Sequence, residues 1–383
     1  MSVTHPKGFR AAGLAAGLKT SGKPDVALVV NDGPLEAAAG VFTTNRVKAA
    51  PVVWCEQVLK DGRLQAVVLN SGGANACTGA PGFQDTHTTA EATAAALGTG
   101  AISVAVCSTG LIGVRLPMDK LLPGVEKAVT DLSVDGGPAA AEAICTTDSV
   151  PKTATFDRAG FAVGGMAKGA GMLAPALATM LVVVTTDAVA DSATLDAVLR
   201  EATRTTFDRV DSDGCMSTND TVLLLASGAS GVEPDLAALQ EGVTTVCTSL
   251  ARQLVADAEG ASKEVAVEVV NAASESDALE VARSVARNNL LKCALHGNDP
   301  NWGRVLAAVG TTKAAFDAEA LDVTMNGVQV CRAGGVGDDR DLVDLTPREC
   351  RITIDLHAGD ATVTVWTNDL TAEYVHENSA YST

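Results

Sequence analysis

GGMAKGAGMLAPALATMLVVVTTD, residues 164–187, is the stretch from which the rest of the chain is best read. It opens with small residues around Lys168, passes through Pro175 and closes on the apolar run 180–184. Glycine and alanine let other backbone approach closely. The run is short, β-branched and bounded by polar residues, so strand is favoured over helix. Thr179 would then stand at the mouth of a buried strand, where a rigid element holds its hydroxyl in place. Thr before such a strand also follows from β-propensity alone, and composition does not separate the two.

Outward from this stretch, similar runs predict strands over 26–30, 66–69, 102–106, 222–225 and 265–270. Helical spacing falls between them. Leu195, Val198, Leu199 and Ala202 share a face behind a cap at Asp191 or Ser192. Leu236, Leu239, Val243, Val246, Leu250 and Leu254 step by three and four after Pro234, and Glu259-Gly260 marks the expected stop. Another helix is expected over 277–293, and 134–141 reads as a Gly/Ala-rich surface connection. Strands and helices alternate without a strict βαβ rhythm, which predicts a mixed α/β (α+β) protein. No low-complexity linker marks a domain boundary.

The chain has 383 residues, of which 47% are apolar but only 3% aromatic, so Ala, Val, Leu and Gly must build the core. A formal net charge of -18 excludes the basic footprint of a nucleic-acid binder. It also disfavours docking on an anionic membrane surface. Nine scattered cysteines with no short Cys-Cys spacing suggest neither a disulfide framework nor a zinc site, and buried free thiols in a reducing compartment are expected. The N-terminal residues lack a signal-peptide apolar region and no run is long enough to span a bilayer, so a cytoplasmic protein is expected.

His5, His87, His296, His357 and His376 show no catalytic or metal-ligand spacing, and His296 in HGNDPNWGR reads as a satisfied loop histidine. NSGGANACTG (70–79) has the small residues of a phosphate cradle but lacks the Lys-Ser/Thr of a P-loop, so a tightly packed turn is favoured. STGLIG (108–113) follows a strand, where its N–H groups could face an oxyanion or simply turn the chain.

Taken with FTTNRVKAAPV (42–52), TTDSVPK (146–152), SDGCMSTNDT (212–221), EGASK (259–263), HGNDPNWGR (296–304) and ENSAYST (377–383), the stretch KGAGMLAPALATML resembles the ornithine acetyltransferase (glutamate N-acetyltransferase, ArgJ) family. The segments fall in family order along nearly the whole chain. Ala170 and Ala176 depart from the Ser and Asn that family members often carry there. The resemblance implies a layered α-β-β-α sandwich of N-terminal-nucleophile type with a second, smaller α/β domain. It implies self-cleavage between Ala178 and Thr179, giving an α chain 1–178 and a β chain 179–383 that contribute to one active site. Thr179 would be the nucleophile, with its freed α-amine as the base, a known pairing for threonine. Thr109 and Gly110 would form the oxyanion hole. Thr146, Lys168, Thr179, Glu259, Asn378 and Thr383 would contact substrate. The implied substrates are N2-acetyl-L-ornithine and L-glutamate, with no cofactor or metal and with acetyl-CoA admitted as a co-substrate. The implied assembly is a heterotetramer of two α and two β chains, with no nucleic-acid or membrane partner. Two other readings share some of these features: a self-cleaving aminopeptidase or amidase that passes the acyl group to water, and a non-catalytic amino-acid-binding protein.

Overall fold

The structure, a computed structural model, describes residues 2–158, 160–174 and 180–380. The chain forms two compact units, Met1–Asp208 with Cys215–Leu254, and Arg209–Gly214 with Val255–Ser382.

In chain order the first unit contains β1 (Phe9–Leu14), β2 (Val26–Asn31), β3 (Ala37–Phe42), α1 (Ala50–Val58), β4 (Ala66–Asn70), α2 (Gly79–Leu97) and β5 (Val104–Ser108). There follow α3 (Met118–Thr130), α4 (Gly137–Ala143), β6 (Lys152–Arg158), β7 (Phe161–Lys168), β8 (Leu181–Thr186), α5 (Ser192–Thr205), β9 (Thr221–Ala226) and α6 (Leu236–Ala256). Two sheets result, with strand orders β1-β2-β4-β5 and β3-β9-β8-β7-β6. The parallel pairs β4–β5 and β8–β9 are each joined through a helix, as parallel neighbours require.

Alternation of side chains produces the layers. In β2, Val26, Leu28 and Val30 pack with Ala90 and Ala94 of α2 and Leu121 and Val125 of α3. Ala27 and Val29 face the other way, into a cluster with Met166, Leu181, Val183, Leu223 and Leu225 of the second sheet. Beyond that sheet lies α6: a side chain at Gly165 would meet Val246 and Leu250 within about 3 Å. The order is helices, sheet, sheet, helices. Every residue of β2, β8 and β9 is buried, as expected where both faces are covered. Small residues set the spacing; a Cβ on Gly13 would lie 2.0 Å from the Ala139 carbonyl oxygen.

The second unit contains β10 (Glu264–Ala272), α7 (Glu275–Ala286), α8 (Asn289–His296), α9 (Trp302–Val309), β11 (Asp322–Met325), β12 (Val328–Arg332), β13 (Gly335–Val336), β14 (Glu349–Asp355), β15 (Ala361–Asn368) and α10 (Ala372–Ala380). Its sheet has the order β13-β12-β11-β14-β10-β15. Here only one face is fully covered. Cys350, Ile352 and Ile354 of β14 join the core with Val281 and Val285 of α7 and Val305 and Val309 of α9. The alternate residue Arg351 is exposed.

Most expected elements are present, and Asp191 caps α5 by accepting from the Thr194 N–H at 2.8 Å. Several boundaries differ. The expected helix over 277–293 is two helices, because the Asn288 side chain accepts from the Leu291 N–H at 3.0 Å and starts α8 afresh. The expected connection 134–141 instead runs into α4, whose Ala140 and Ala141 are fully buried; Pro138 suits a first helical turn. α6 stops at Ala256, before Glu259. Among the described residues no helix is long and apolar enough to cross a membrane.

Candidate active site

In the first unit the polar groups gather where β5, β7, β8 and β9 end or begin. Thr109 follows β5, is buried, and donates its N–H to the Asn70 carbonyl at 3.0 Å. Its Oγ1 accepts from Lys168 Nζ at 3.3 Å. Lys168 is the last residue of β7 and is 2% exposed. Gly110 has φ 128°, and a Cβ there would lie 2.9 Å from the Gly73 nitrogen. Glycine is therefore required both by conformation and by space.

A buried ionic cluster supports this turn. Asp148 accepts from Lys152 Nζ at 2.6 Å and from the Gly169 N–H at 2.6 Å through one oxygen. Its other oxygen accepts from the Thr146 N–H at 2.9 Å. One carboxylate thus ties Thr146 to the residue after Lys168. Burial alone would raise the Asp148 pKa, but Lys168, Lys152 and the Gly169 N–H outweigh it and hold the group at about 2. Lys19 adds a further cation, its pKa pulled down chiefly by burial, with Nζ donating to the carbonyls of Cys145 and Pro24 at 2.6 and 2.8 Å. Such a cluster of ammonium groups suits a carboxylate-bearing ligand.

In the second unit Glu259 lies in the turn after α6. Its Oε2 accepts from Asn378 Nδ2 on α10 at 2.9 Å. Gly260 makes this approach, since a Cβ there would lie 2.2 Å from the Tyr374 nitrogen. Burial, then Glu259 and Glu373, raise the pKa of the neighbouring Glu377. A cavity of about 210 Å³ is lined by Glu259, Asp213, Arg287, Lys292, Asn368 and Tyr374 among others. Lys292 is buried, bonded to the Ser212 carbonyl and to Thr367 Oγ1, and burial lowers its pKa to about 8.

A model of the ArgJ family matches residues 10–383. The chain belongs to the ArgJ family. The arginine biosynthesis bifunctional protein ArgJ of Streptomyces coelicolor is 70% identical over 382 residues, which is 100% of both chains. Its namesake in Thermobifida fusca is 63% identical over 383 residues, again 100% of both. Among solved structures, the ornithine acetyltransferase of Mycobacterium tuberculosis, complexed with ornithine, is 63% identical in a match that covers 47% of this chain and 96% of that one, with a TM-score of 0.45.

Of the residues singled out in this ArgJ-family sequence, Thr109, Gly110, Thr146 and Lys168 come together in the first unit, and Glu259 and Asn378 in the second. Ala178, Thr179 and Thr383 lie outside the described residues. His296 closes α8 and pairs its Nδ1 with Asp369 Oδ2 at 3.1 Å, a structural arrangement. The 70–79 segment is a tight turn, with Asn75 Nδ2 donating to the Gly82 carbonyl at 2.8 Å. Five cysteines are buried, but Cys77, Cys215 and Cys293 are exposed, unlike the buried thiols expected. Sequence reasoning did not pick out Asp148, Lys152, Asn219 or Asp220. They lay inside segments already quoted, and only burial reveals them. Among the described residues no cluster of His, Cys, Asp and Glu could hold a metal ion.

Proposed function

We propose that this protein is an ornithine acetyltransferase of arginine biosynthesis, carrying acetyl from N2-acetyl-L-ornithine to L-glutamate through an ester on Thr179. The observation that carries the proposal is the buried Thr109–Lys168 pair at 3.3 Å beside the glycine-only turn at Gly110, in a chain of the ArgJ family. Thr179 first acts on its own chain. Its Oγ attacks the Ala178 carbonyl carbon, the C–N bond breaks, and the nitrogen takes the hydroxyl proton. Water then splits the resulting ester and leaves Ala178 with a carboxylate. The freed α-amine has an ordinary pKa of about 7.7–8.0, so it can take the Thr179 hydroxyl proton near neutral pH.

In the transfer cycle Thr179 Oγ attacks the acetyl carbonyl. Negative charge develops on the carbonyl oxygen, which the Thr109 hydroxyl and the Gly110 N–H stabilise; one such donor is worth about 3–4 kcal/mol of barrier. Ornithine departs with the proton. The α-amine of glutamate then attacks the ester, giving N-acetylglutamate and restoring the threonine. Lys168, Asn378 and Thr383 hold substrate carboxylates, Glu259 takes the side-chain ammonium of ornithine, and Thr146 contacts the substrate. No cofactor takes part. The relatives' description as bifunctional supports a second use, acetylation of glutamate from acetyl-CoA. The α and β chains stay together, two of each, in the cytoplasm, and the charge of -18 argues against nucleic-acid or membrane partners.

Intact masses of wild type and Thr179→Ala test the proposal. Two fragments are expected from the first and one chain from the second. An uncut wild type with full transferase activity would sink the mechanism. Ornithine release that proceeds equally without glutamate would point instead to hydrolysis.

A further inference from the structure

The segment SDGCMSTNDT, residues 212–221, has no place in the chemistry above, yet its Asn219 and Asp220 bond to the residue before Thr109 and to Met180. Asn219 is buried. Its Nδ2 donates to the Ser108 carbonyl at 2.8 Å and to the Ala74 carbonyl at 2.6 Å. Its own Oδ1 accepts from Thr218 Oγ1 at 2.6 Å, so the amide is fixed in orientation. Ser108 directly precedes Thr109. Asn219 therefore cross-links the oxyanion turn to the loop against which Gly110 packs.

The next residue acts on the other partner of the reaction. Asp220 is fully buried, and its Oδ1 accepts from the Met180 N–H at 3.0 Å. That nitrogen belongs to the peptide group joining Thr179 to Met180. The Met180 carbonyl accepts from the Thr221 N–H at 3.1 Å, so both backbone groups of Met180 are held by consecutive residues. On the other flank, Leu173 forms a β-bridge with Met216. Asp220 Oδ2 has no hydrogen-bond partner among the described residues. Burial raises its pKa well above the ordinary value, against the pull of the Met180 N–H and of Lys168. The Ser217 and Thr43 side chains lie close to the carboxyl and also lower its pKa.

We propose that Asn219 and Asp220 are a positioning pair, which sets the distance between nucleophile and oxyanion donors by gripping Met180 with one side chain and Ser108 with the other. This rests on the ornithine acetyltransferase reading. Neither side chain is asked to touch substrate. Each acts through backbone, and their adjacency in the chain is what couples the two halves of the chemistry.

The test uses the full-length chain in four forms: wild type, Asp220→Ala, Asp220→Asn and Asn219→Ala. Fragment appearance is followed by intact mass, and kcat and KM for acetyl transfer are measured separately. Asp220→Ala should slow both cleavage and kcat by about 10- to 100-fold, the scale of a misplaced reacting group. Asp220→Asn keeps the acceptor for Met180 and should recover both to within about threefold of wild type, with KM unchanged. Asn219→Ala should lower kcat by about tenfold and leave KM within about twofold, because the loss falls on the transition state. Should the Asp220→Ala chain not fold, the kcat-against-KM split in Asn219→Ala decides the matter. Wild-type rates in Asp220→Ala, equal slowing in Asp220→Asn, or a rise in KM alone in Asn219→Ala would each overturn the pair. A wild type that neither cleaves nor transfers overturns the ornithine acetyltransferase reading instead.

Discussion

Asp148 in the first unit and Asp211 in the second are both buried aspartates with a cation in hydrogen-bond contact, yet their protons behave oppositely. Asp148 meets Lys152 Nζ at 2.6 Å and Asp211 meets Arg287 Nε at 2.7 Å. Burial raises Asp211 to about 6, and Arg287 offsets only part of that rise. Asp148 is held at about 2 despite burial. The partner's surroundings account for the difference. Lys152 is fully buried and Lys168 lies nearby, whereas the Arg287 side chain is 49% exposed and water screens its charge. Asp148 also accepts from the Gly169 and Thr146 N–H groups, while Asp211 Oδ1 has no partner among the described residues. A cation at contact distance does not secure a buried carboxylate; enclosure and a full set of donors do.

Three measurements can break or sharpen this contrast. Lys152→Met should cost about 3–5 kcal/mol in urea unfolding, since it leaves a buried carboxylate without its closest cation. A loss under about 1 kcal/mol would mean that Lys168 alone suffices. Asp211 carries the next effect. Its folded pKa is raised, so the folded state holds a proton that the unfolded state has released. Its contribution is present at low pH and is lost as pH rises from about 4 to about 6, worth about 3 kcal/mol at most. Asp211→Asn should remove that slope, read as the difference between variant and wild-type stability across pH 4–6. For Asp148 the sign reverses. Its folded pKa is lowered, so its stabilisation of about 2 kcal/mol is present above about pH 4 and lost as pH falls to about 2. Asp148→Asn should be flat across that window, and a wild type equally flat would show that the cluster does not stay intact in acid.

The strands of the first unit were legible because β-branched runs covered on both faces leave an unbroken apolar signal, as in 181–184. The helix over 236–256 was legible for the opposite reason, a single face repeated at three and four. Failures came where local chemistry overrode periodicity. Asn288 looks like any polar residue in a helical pattern until its side chain is seen capping Leu291. The start of α4 looked like a linker because Gly136 caps it and Gly137 and Pro138 form its first positions, ahead of a short run of alanines. One crossing between the units left no trace because it falls inside α6, between Leu254 and Val255. The site was half legible. Thr109, Lys168 and Glu259 were picked out by resemblance, but the Asp148–Lys152 pair has helical spacing in a segment that forms no helix, so no pattern pointed to it.

The strand order of the larger first-unit sheet has a consequence for a chain cut after residue 178. β3, β6 and β7 precede that point, whereas β8 and β9 follow it. The order β3-β9-β8-β7-β6 then interleaves the two products, and the β3–β9 and β7–β8 ladders both become contacts between separate molecules. Neither product would own this sheet whole. Pulling them apart would expose the interior of both, so dissociation and denaturation would be one event. Halves made separately should not reassemble by simple mixing, and the nick would be invisible to any method that reads only size in native solution.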